Sequence, residues 1–188
     1  MTPPRTTTAA TSSRAGFSLA ELLAVVVVIG LIAGVVSMNF MATLPRAELN
    51  STVHDLAAAV KGAHSDSIAR NAEFRIYYDL DGGLYEVSSP FKLGGGLAQR
   101  DEERQVVKRQ LLPDSISIAR VTIAGIDYTE GKVFVAFSPL GAATGHTINL
   151  VQNPAETYTT LEVLPLTGLV RFHYEDFTRE PAQEEDFL

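Results

Sequence analysis

Gly16-Phe17-Ser18-Leu19-Ala20-Glu21, together with the apolar run behind it, is the stretch around which this chain is organised. Residues 22–45 include no charged side chain, and most of them are Leu, Val, Ile, Ala or Met. With a rise of about 1.5 Å per residue, a helix over residues 22–44 extends roughly 35 Å, whereas the hydrocarbon core of a bilayer is about 30 Å thick. Because lipid offers the backbone no hydrogen-bond partners, a single crossing segment has to be helical. The run therefore predicts a membrane-spanning helix.

One carboxylate, that of Glu21, stands at the start of the apolar run. Its burial costs about 2.5–3.5 kcal/mol at the bilayer centre, and less near the interface, unless a cation pairs with it. Cleavage between Gly16 and Phe17 would supply that cation, because it frees an amine on Phe17 near Glu21 of the same chain or of a packed neighbour. A secretory signal peptide is the competing interpretation. However, the apolar run exceeds the usual length, no convincing Ala-x-Ala site follows it, and an acid inside it is unexpected.

These residues resemble the signal of class III type IV prepilins: Gly16, the aromatic Phe17, and Glu21 five residues into the cleaved chain, behind a short basic leader. The resemblance implies cleavage after Gly16 and N-methylation of Phe17 by prepilin peptidase. It also implies assembly of the helix into a pilus or pseudopilus, with Glu21 as an assembly contact. Many major pilins carry a proline inside this helix. Here the first helix proline is Pro45, which favours a minor subunit or a pseudopilin.

The leader, residues 1–16, is rich in Thr, Ser and Ala, and it has two arginines and no acid. Its positive charge predicts a cytoplasmic N-terminus and places the rest of the chain on the other side of the membrane. Within the predicted transmembrane and assembly helix, 17–44, Gly30 and Gly34 form a Gly-x-x-x-Gly pattern. Small residues one turn apart let helices approach closely in lipid. Glycine is also common in membrane helices, so a helix-packing role and plain composition both stay open.

Composition limits what the remaining chain can do. The 188 residues, less the leader and the membrane helix, leave about 140 residues for one soluble domain. Cysteine is absent, so disulfides, thiol chemistry and Cys-ligated zinc are excluded. Removing Arg5, Arg14 and Glu21 from the totals of 15 basic and 22 acidic residues leaves 13 and 21, a formal charge of −8. Such a surface repels phosphate backbones, which makes nucleic acid an unlikely partner.

After Pro45 the helix is predicted to continue in amphipathic form over 45–72. Its apolar positions recur at spacings of four, three, four and three, the period of a helix with one buried face: Leu49, Val53, Leu56, Val60 and Ala63. This face should pack on the soluble domain.

From Phe74 the period changes to two, which is typical of half-buried strands. Asp81-Gly82-Gly83 predicts a tight hairpin, because glycine tolerates positive φ. Residues 89–104, with three consecutive glycines, are predicted to form a mobile loop. The predicted strands cover 74–80, 84–87, 105–112, 115–123, 132–137, 147–151, 158–164 and 169–174. Residues 175–188 are predicted to be an acidic, solvated tail.

One long helix followed by about eight short strands predicts an α+β fold, with the helix packed on antiparallel sheet. Roughly residues 56–172 also resemble the GspH/FimT domain of minor pseudopilins and minor type IV pilins, whose β part is predicted over 73–174. The similarity is carried by Ala69-Arg70-Asn71-Ala72, by Val135-Ala136-Phe137-Ser138-Pro139-Leu140-Gly141, and by Leu161-Glu162-Val163 leading to Thr167-Gly168-Leu169-Val170.

No catalytic or metal-binding constellation is recognisable in the sequence. His54 and His64 lie ten residues apart on different helix faces, which makes them poor joint metal ligands. Asp79 and Asp81 lack the later ligands of a calcium loop, so a hairpin role is favoured. No serine-hydrolase, zinc-protease or phosphate-loop motif appears. The sequence thus predicts no enzyme, no cofactor and no metal.

The sequence as a whole predicts a minor pseudopilin of a type II secretion system, single-pass in the bacterial inner membrane with a periplasmic domain. The expected partners are other major and minor pseudopilins, prepilin peptidase, the inner-membrane assembly platform and membrane lipid. A FimT-like minor type IV pilin, acting in pilus initiation or DNA uptake, is the alternative.

Overall fold

The computed structural model describes residues 18–179, and within its first helix it leaves the side chains of residues 35–45 undescribed. Gly16 and Phe17, the predicted processing residues, lie outside the described residues, as does the end of the acidic tail, 180–188. The chain divides into two units, Met1–Thr43 and Leu44–Leu188.

In the described range 18–179, one long α-helix, α1, runs over Leu19–Ala69. In the part of the chain described here, no helix is long and apolar enough to cross a membrane. The membrane-crossing character predicted for residues 22–44 is therefore not shown.

The second half of α1 has the amphipathic character that its spacing predicts. All five residues of the predicted apolar face are buried, with at most 2% of the surface of each residue exposed to solvent: Leu49, Val53, Leu56, Val60 and Ala63. The helix ends because Asn71 adopts a left-handed conformation, with φ 48°. The N–H of Ala72 then donates to the carbonyl of Ser67, which satisfies an acceptor of the last turn.

Within residues 18–179, nine strands follow the helix, and every pairing between them is antiparallel. They are β1 Phe74–Asp79, β2 Leu84–Ser88, β3 Val106–Leu111, β4 Ile116–Ile123, β5 Ile126–Tyr128, β6 Lys132–Phe137, β7 His146–Gln152, β8 Thr157–Val163 and β9 Val170–His173. The first sheet has the strand order β3-β2-β1-β6, and the second has the order β5-β4-β7-β8-β9.

One hydrophobic core joins the amphipathic half of α1 to both sheets. The first sheet contributes alternate residues of β1 and β6, and the second contributes mainly β7 and β8. The core residues with 0–1% exposure on these four strands are Phe74, Ile76, Tyr78, Val135, Phe137, Ile148, Leu150, Leu161 and Val163. The α+β prediction is confirmed, with two antiparallel sheets.

Two segments that precede β9 differ from the sequence prediction. Strand β5 was not predicted, because three residues are too few to show an alternating pattern; it pairs with β4 through a two-residue turn at Ala124 and Gly125, both with positive φ. The segment 89–104 was predicted to be mobile, but it includes a short 3-10 helix, Asp101–Glu103. Asp101 binds Arg75 of β1 at 2.6 Å, so an ion pair fastens this segment to the sheet.

The β1–β2 turn explains the carboxylates that could have suggested calcium. Asp79 accepts a hydrogen bond from the N–H of Gly82 at 2.7 Å, and Asp81 accepts one from the N–H of Gly131 at 3.0 Å. A Cβ on Gly82 would lie 2.9 Å from the Asp79 carboxylate, so a larger residue here would have to displace that side chain. Both acids thus cap backbone turns.

The start of the predicted tail is part of the domain surface. Asp176 accepts hydrogen bonds from Arg120 of β4 and Asn149 of β7, and Phe177 stacks on His173 with ring centroids 3.8 Å apart. Residues 175–179 therefore lie against the second sheet, whereas the sequence predicted a solvated tail from residue 175 onward.

Candidate assembly surface

Helix α1 begins with Ser18 as its capping residue. The N–H of Glu21 donates to the Ser18 hydroxyl at 3.2 Å and to the Ser18 carbonyl at 3.0 Å. A side-chain acceptor at this position satisfies a donor that the helix leaves unpaired. The Glu21 carboxylate lies in the first turn, where the partial positive charge of the helix N-terminus favours an acid.

No cation of residues 18–179 lies within ion-pair distance of Glu21. Its predicted partner, the amine of Phe17, lies outside the described residues, as does Gly16. The described residues thus place Glu21 at the helix start and leave its pairing untested.

Apolar side chains are exposed on all sides of the helix over residues 19–34, the part of the first unit whose helical side chains are described. Ten large aliphatic side chains are 47–80% exposed: Leu19, Leu22, Leu23, Val25, Val26, Val27, Val28, Ile29, Leu31 and Ile32. Burying one such side chain contributes about 1.5–3 kcal/mol. Gly30 and Gly34 lie in the same stretch, and a Cβ added to either would meet no atom within 4 Å. This surface is suited to burial against lipid or other helices.

In the second unit, two loops meet at His64 of α1. Its Nε2 lies 2.8 Å from the Gly141 carbonyl in the β6–β7 loop. Gly168, in the β8–β9 loop, packs so tightly on the ring that a Cβ there would lie 2.8 Å from His64 Cδ2. Ser67 donates to the Ser138 carbonyl at 3.1 Å and strengthens the same attachment. Two of the segments that carry the GspH/FimT resemblance thus converge on one helix side chain.

Large apolar side chains are exposed on and beside these two loops. We call this set the leucine patch: Ile68 at 49%, Leu140 at 92%, Leu166 at 78% and Leu169 at 61% exposed. Leu166 also adopts φ 69°, a conformation that costs a non-glycine residue free energy. Exposed apolar side chains held on fixed loops are typical of protein-binding surfaces.

His146 lies between the two sheets. Its Nδ1 donates to the Thr144 carbonyl at 2.7 Å, and its Nε2 accepts from the Tyr78 hydroxyl at 3.1 Å. Burial lowers the pKa of His146 to about 4, and the bond to Thr144 opposes this only in part. Burial also raises the pKa of Tyr78 far above its ordinary value. At neutral pH both groups are uncharged, and they join β1 to β7.

Two buried carboxylates escaped the sequence analysis. Glu86 is 5% exposed and pairs with Arg109 of β3 and with Lys132 of β6, the latter at 2.9 Å. Burial raises the pKa of Glu86, but the hydrogen bonds from Lys132 and Arg109 outweigh it and leave the pKa lowered. Glu162 is 4% exposed and pairs with His173 at 3.0 Å. Nothing in the local sequence marks either acid, because their partners come from other strands.

Comparison with known proteins bears on the fold. No protein-family model and no curated protein matches the chain. A structure of the minor pseudopilin EpsH from the type II secretion system of Vibrio cholerae is 10% identical, covers 70% of this chain and 99% of its own, and has a TM-score of 0.54. A second EpsH structure is 13% identical, with coverages of 71% and 98% and a TM-score of 0.52. The minor pilin FimU of Pseudomonas aeruginosa is 15% identical, with coverages of 68% and 90% and a TM-score of 0.47.

At these identities the EpsH structures show the fold of this chain: it is that of a minor pseudopilin. The pilin-like resemblance predicted from the sequence is confirmed at that level.

Proposed function

We propose that this chain is a minor pseudopilin of a bacterial type II secretion system, incorporated into a periplasmic pseudopilus after prepilin peptidase cleavage. The proposal rests on one combination: an exposed apolar helix with Glu21 in its first turn, on the same chain as a domain with the fold of EpsH. The role is assembly, not catalysis.

Processing comes first in the proposed mechanism. Prepilin peptidase cleaves after Gly16 and methylates the amine of Phe17. The helix over 17–44 then resides in the inner membrane with its N-terminus toward the cytoplasm, and the domain lies in the periplasm. In the bilayer, the ten exposed aliphatic side chains contact lipid in place of water.

Assembly follows by exchange of lipid contacts for helix contacts. Glu21 of this subunit pairs with the Phe17 ammonium of an adjacent pseudopilin, which brings two charges together where the dielectric constant is low. Gly30 and Gly34 allow a neighbouring helix to approach closely. In the periplasm, the leucine patch offers an apolar contact for other subunits. The inner-membrane assembly platform drives the extraction of the helix.

The experiment is to purify the tagged full-length chain from membranes of its own host. Mass spectrometry then determines its N-terminus and the proteins that co-purify with it. The proposal predicts a mature N-terminus at methylated Phe17 and co-purification of type II secretion pseudopilins. An unprocessed N-terminus would contradict any pilin-like role. Co-purification of type IV pilins alone would favour the minor-pilin alternative. For such a pilin, the formal charge of −8 after residue 45 argues against a role in DNA uptake.

A further inference from the structure

A cavity of about 390 Å³ lies over one end of the second sheet. Strand register places three polar residues of its lining side by side: Thr122 of β4 pairs with Thr147 of β7, and Thr147 pairs with Glu162 of β8. All three are at least 94% buried, with exposures of 6%, 3% and 4%. Buried polar side chains in one row are costly unless they have partners, so their hydrogen bonds decide what the cavity can accept.

The walls of the cavity are formed by turns and loops of small and apolar residues. Ala124 and Gly125 of the β4–β5 turn lie on one side, and Gly145 and Pro165 lie on another. Gly145 and Pro165 are in close contact, because a Cβ on Gly145 would lie 3.0 Å from Pro165 Cδ. These walls suit an aliphatic stem.

The polar groups of the cavity offer oxygen acceptors. One oxygen of Glu162 accepts from His173 Nε2 at 3.0 Å, and the other has Arg179 Nη1 at 3.5 Å, a long and weak contact. Thr147 Oγ1 is buried and has no hydrogen-bond partner among residues 18–179. Thr122 donates its hydroxyl proton to Asp127 at 2.6 Å, which leaves its oxygen as an acceptor. A ligand that donates hydrogen bonds fits these acceptors, and the carboxylate favours one that is positively charged.

We propose that this cavity receives the basic side chain, arginine or lysine, of a partner protein, with its charged head on Glu162 and Thr147 and its aliphatic stem against the walls. The side chain of Arg179, which is 53% exposed, already places a guanidinium on the same carboxylate. An incoming cation would displace this weak contact and gain a second acceptor in Thr147. The formal charge of −8 after residue 45 attracts a basic partner toward the domain.

This inference deepens the proposed function, since the partner would be another filament subunit, but the site can be tested without any filament. The probe is n-butylguanidinium, and n-butylurea is its uncharged control of nearly the same shape. Saturation-transfer NMR with the full-length chain in detergent micelles measures the binding of each. We expect n-butylguanidinium to bind with a Kd at least tenfold lower than that of n-butylurea.

Matched variants locate the binding. Glu162→Gln should abolish the preference for the cation, and Thr147→Val should weaken binding several-fold, whereas Glu130→Gln on the exposed surface should change nothing. Because Glu162→Gln also removes partners of His173 and Arg179, Arg179→Ala provides a second test that leaves the buried row intact. It should tighten binding of n-butylguanidinium several-fold, because the competing guanidinium is gone. Equal binding of the two probes, or unchanged binding in both Glu162→Gln and Arg179→Ala, would overturn the proposal.

A second arm separates a partner's side chain from a free small cation. A photoreactive p-benzoylphenylalanine in place of Arg179 should form a cross-link in membranes to a pseudopilin peptide that includes an arginine or lysine. Glu162→Gln in the same chain should abolish that cross-link. Probe binding without the cross-link would show a site for free cations and reject the protein partner. Neither result alters the processing of Phe17, so failure here is distinguishable from failure of the proposed function.

Discussion

His64 Nε2 donates a hydrogen bond to the carbonyl oxygen of Gly141 at 2.8 Å, across 77 residues of sequence. A carbonyl only accepts, so Nε2 carries the proton. The ring also meets Phe137 edge-on, with centroids 6.2 Å apart. One side chain of α1 thus holds the loop that carries Leu140 of the leucine patch.

His64→Ala should therefore destabilise the domain. The variant leaves the partly buried Gly141 carbonyl without its donor and removes the ring that packs on Gly168, a loss of about 1–3 kcal/mol. Thermal unfolding of the full-length chain in detergent measures it. His54→Ala is the matched control, because His54 is exposed and only touches the Phe172 ring. A Tm as low for His54→Ala as for His64→Ala would contradict this role.

Gly168→Ala tests the same contact from the other side. Gly168 has φ +61°, and its added Cβ would lie 2.8–3.0 Å from the His64 ring. The left-handed conformation alone costs about 1–2 kcal/mol, and the clash adds to it. Gly131→Ala separates the two effects, since Gly131 has φ +80° with no atom within 4 Å of a Cβ. Gly168→Ala should lower the Tm more than Gly131→Ala does. Adding His64→Ala to Gly168→Ala should lower the Tm less than His64→Ala does in the wild-type chain.

Acid should weaken the domain through His146. Its pKa is about 4 in the folded state and 6.5 as the ordinary value, so the unfolded chain binds the proton more readily. Stability from this group is fully present above pH 6.5 and is lost as the pH falls toward 4, by about 2–3 kcal/mol. Protonation also places an N–H of His146 against the Tyr78 hydroxyl hydrogen.

Chemical unfolding at pH 7, 6, 5 and about 4.5 measures this dependence. His146→Gln can keep both hydrogen bonds without titrating, so its stability should fall less over that range. Glu86 contributes at lower pH: its lowered pKa gives stability that is present above 4.5 and lost as the pH falls further. An equally steep loss between pH 6.5 and 4.5 in His146→Gln would assign the effect to other groups.

Glu21→Gln should block assembly without blocking processing. The substitution keeps the shape and removes the charge, so insertion into lipid becomes easier. The Phe17 ammonium of the docking subunit then lacks its counter-ion, a loss of about 3 kcal/mol or more for a buried pair. Cross-linking and co-purification of cleaved subunits measure incorporation, with Glu130→Gln as the control. Normal incorporation of the Glu21 variant would show that this carboxylate is not the assembly contact.

Gly16→Val should stop maturation, because a branched side chain then precedes the cleavage junction. Mass spectrometry of the membrane fraction should find the uncleaved chain, with its leader of residues 1–16. Cleavage of Gly16→Val at the wild-type position would mean that the junction tolerates a side chain. That result would remove the argument for prepilin peptidase.

Much of the fold could be predicted from the sequence, because the deciding interactions are local. The four-three spacing of Leu49 through Ala63 sets one buried face of α1, and alternation sets each longer strand. Lys132–Phe137 was predicted to the residue, and the other predicted strands differ from the observed bounds by no more than one residue at either end. Glycine at positions 82 and 83 marked the β1–β2 turn for the same local reason.

The sequence by itself determined the apolar helix, the position of Glu21 at its start and the amphipathic face. It also determined the succession of strands along the chain, apart from β5. Only the tertiary structure decided which strands pair, and with that the partners of His64, Glu86, His146 and Glu162. Each of these residues contacts groups distant in the chain, as Tyr78 and His146 do across 68 residues. Such contacts depend on strand register and on the rotation of α1, which no local pattern encodes, because a shift of one residue turns every side chain to the opposite face.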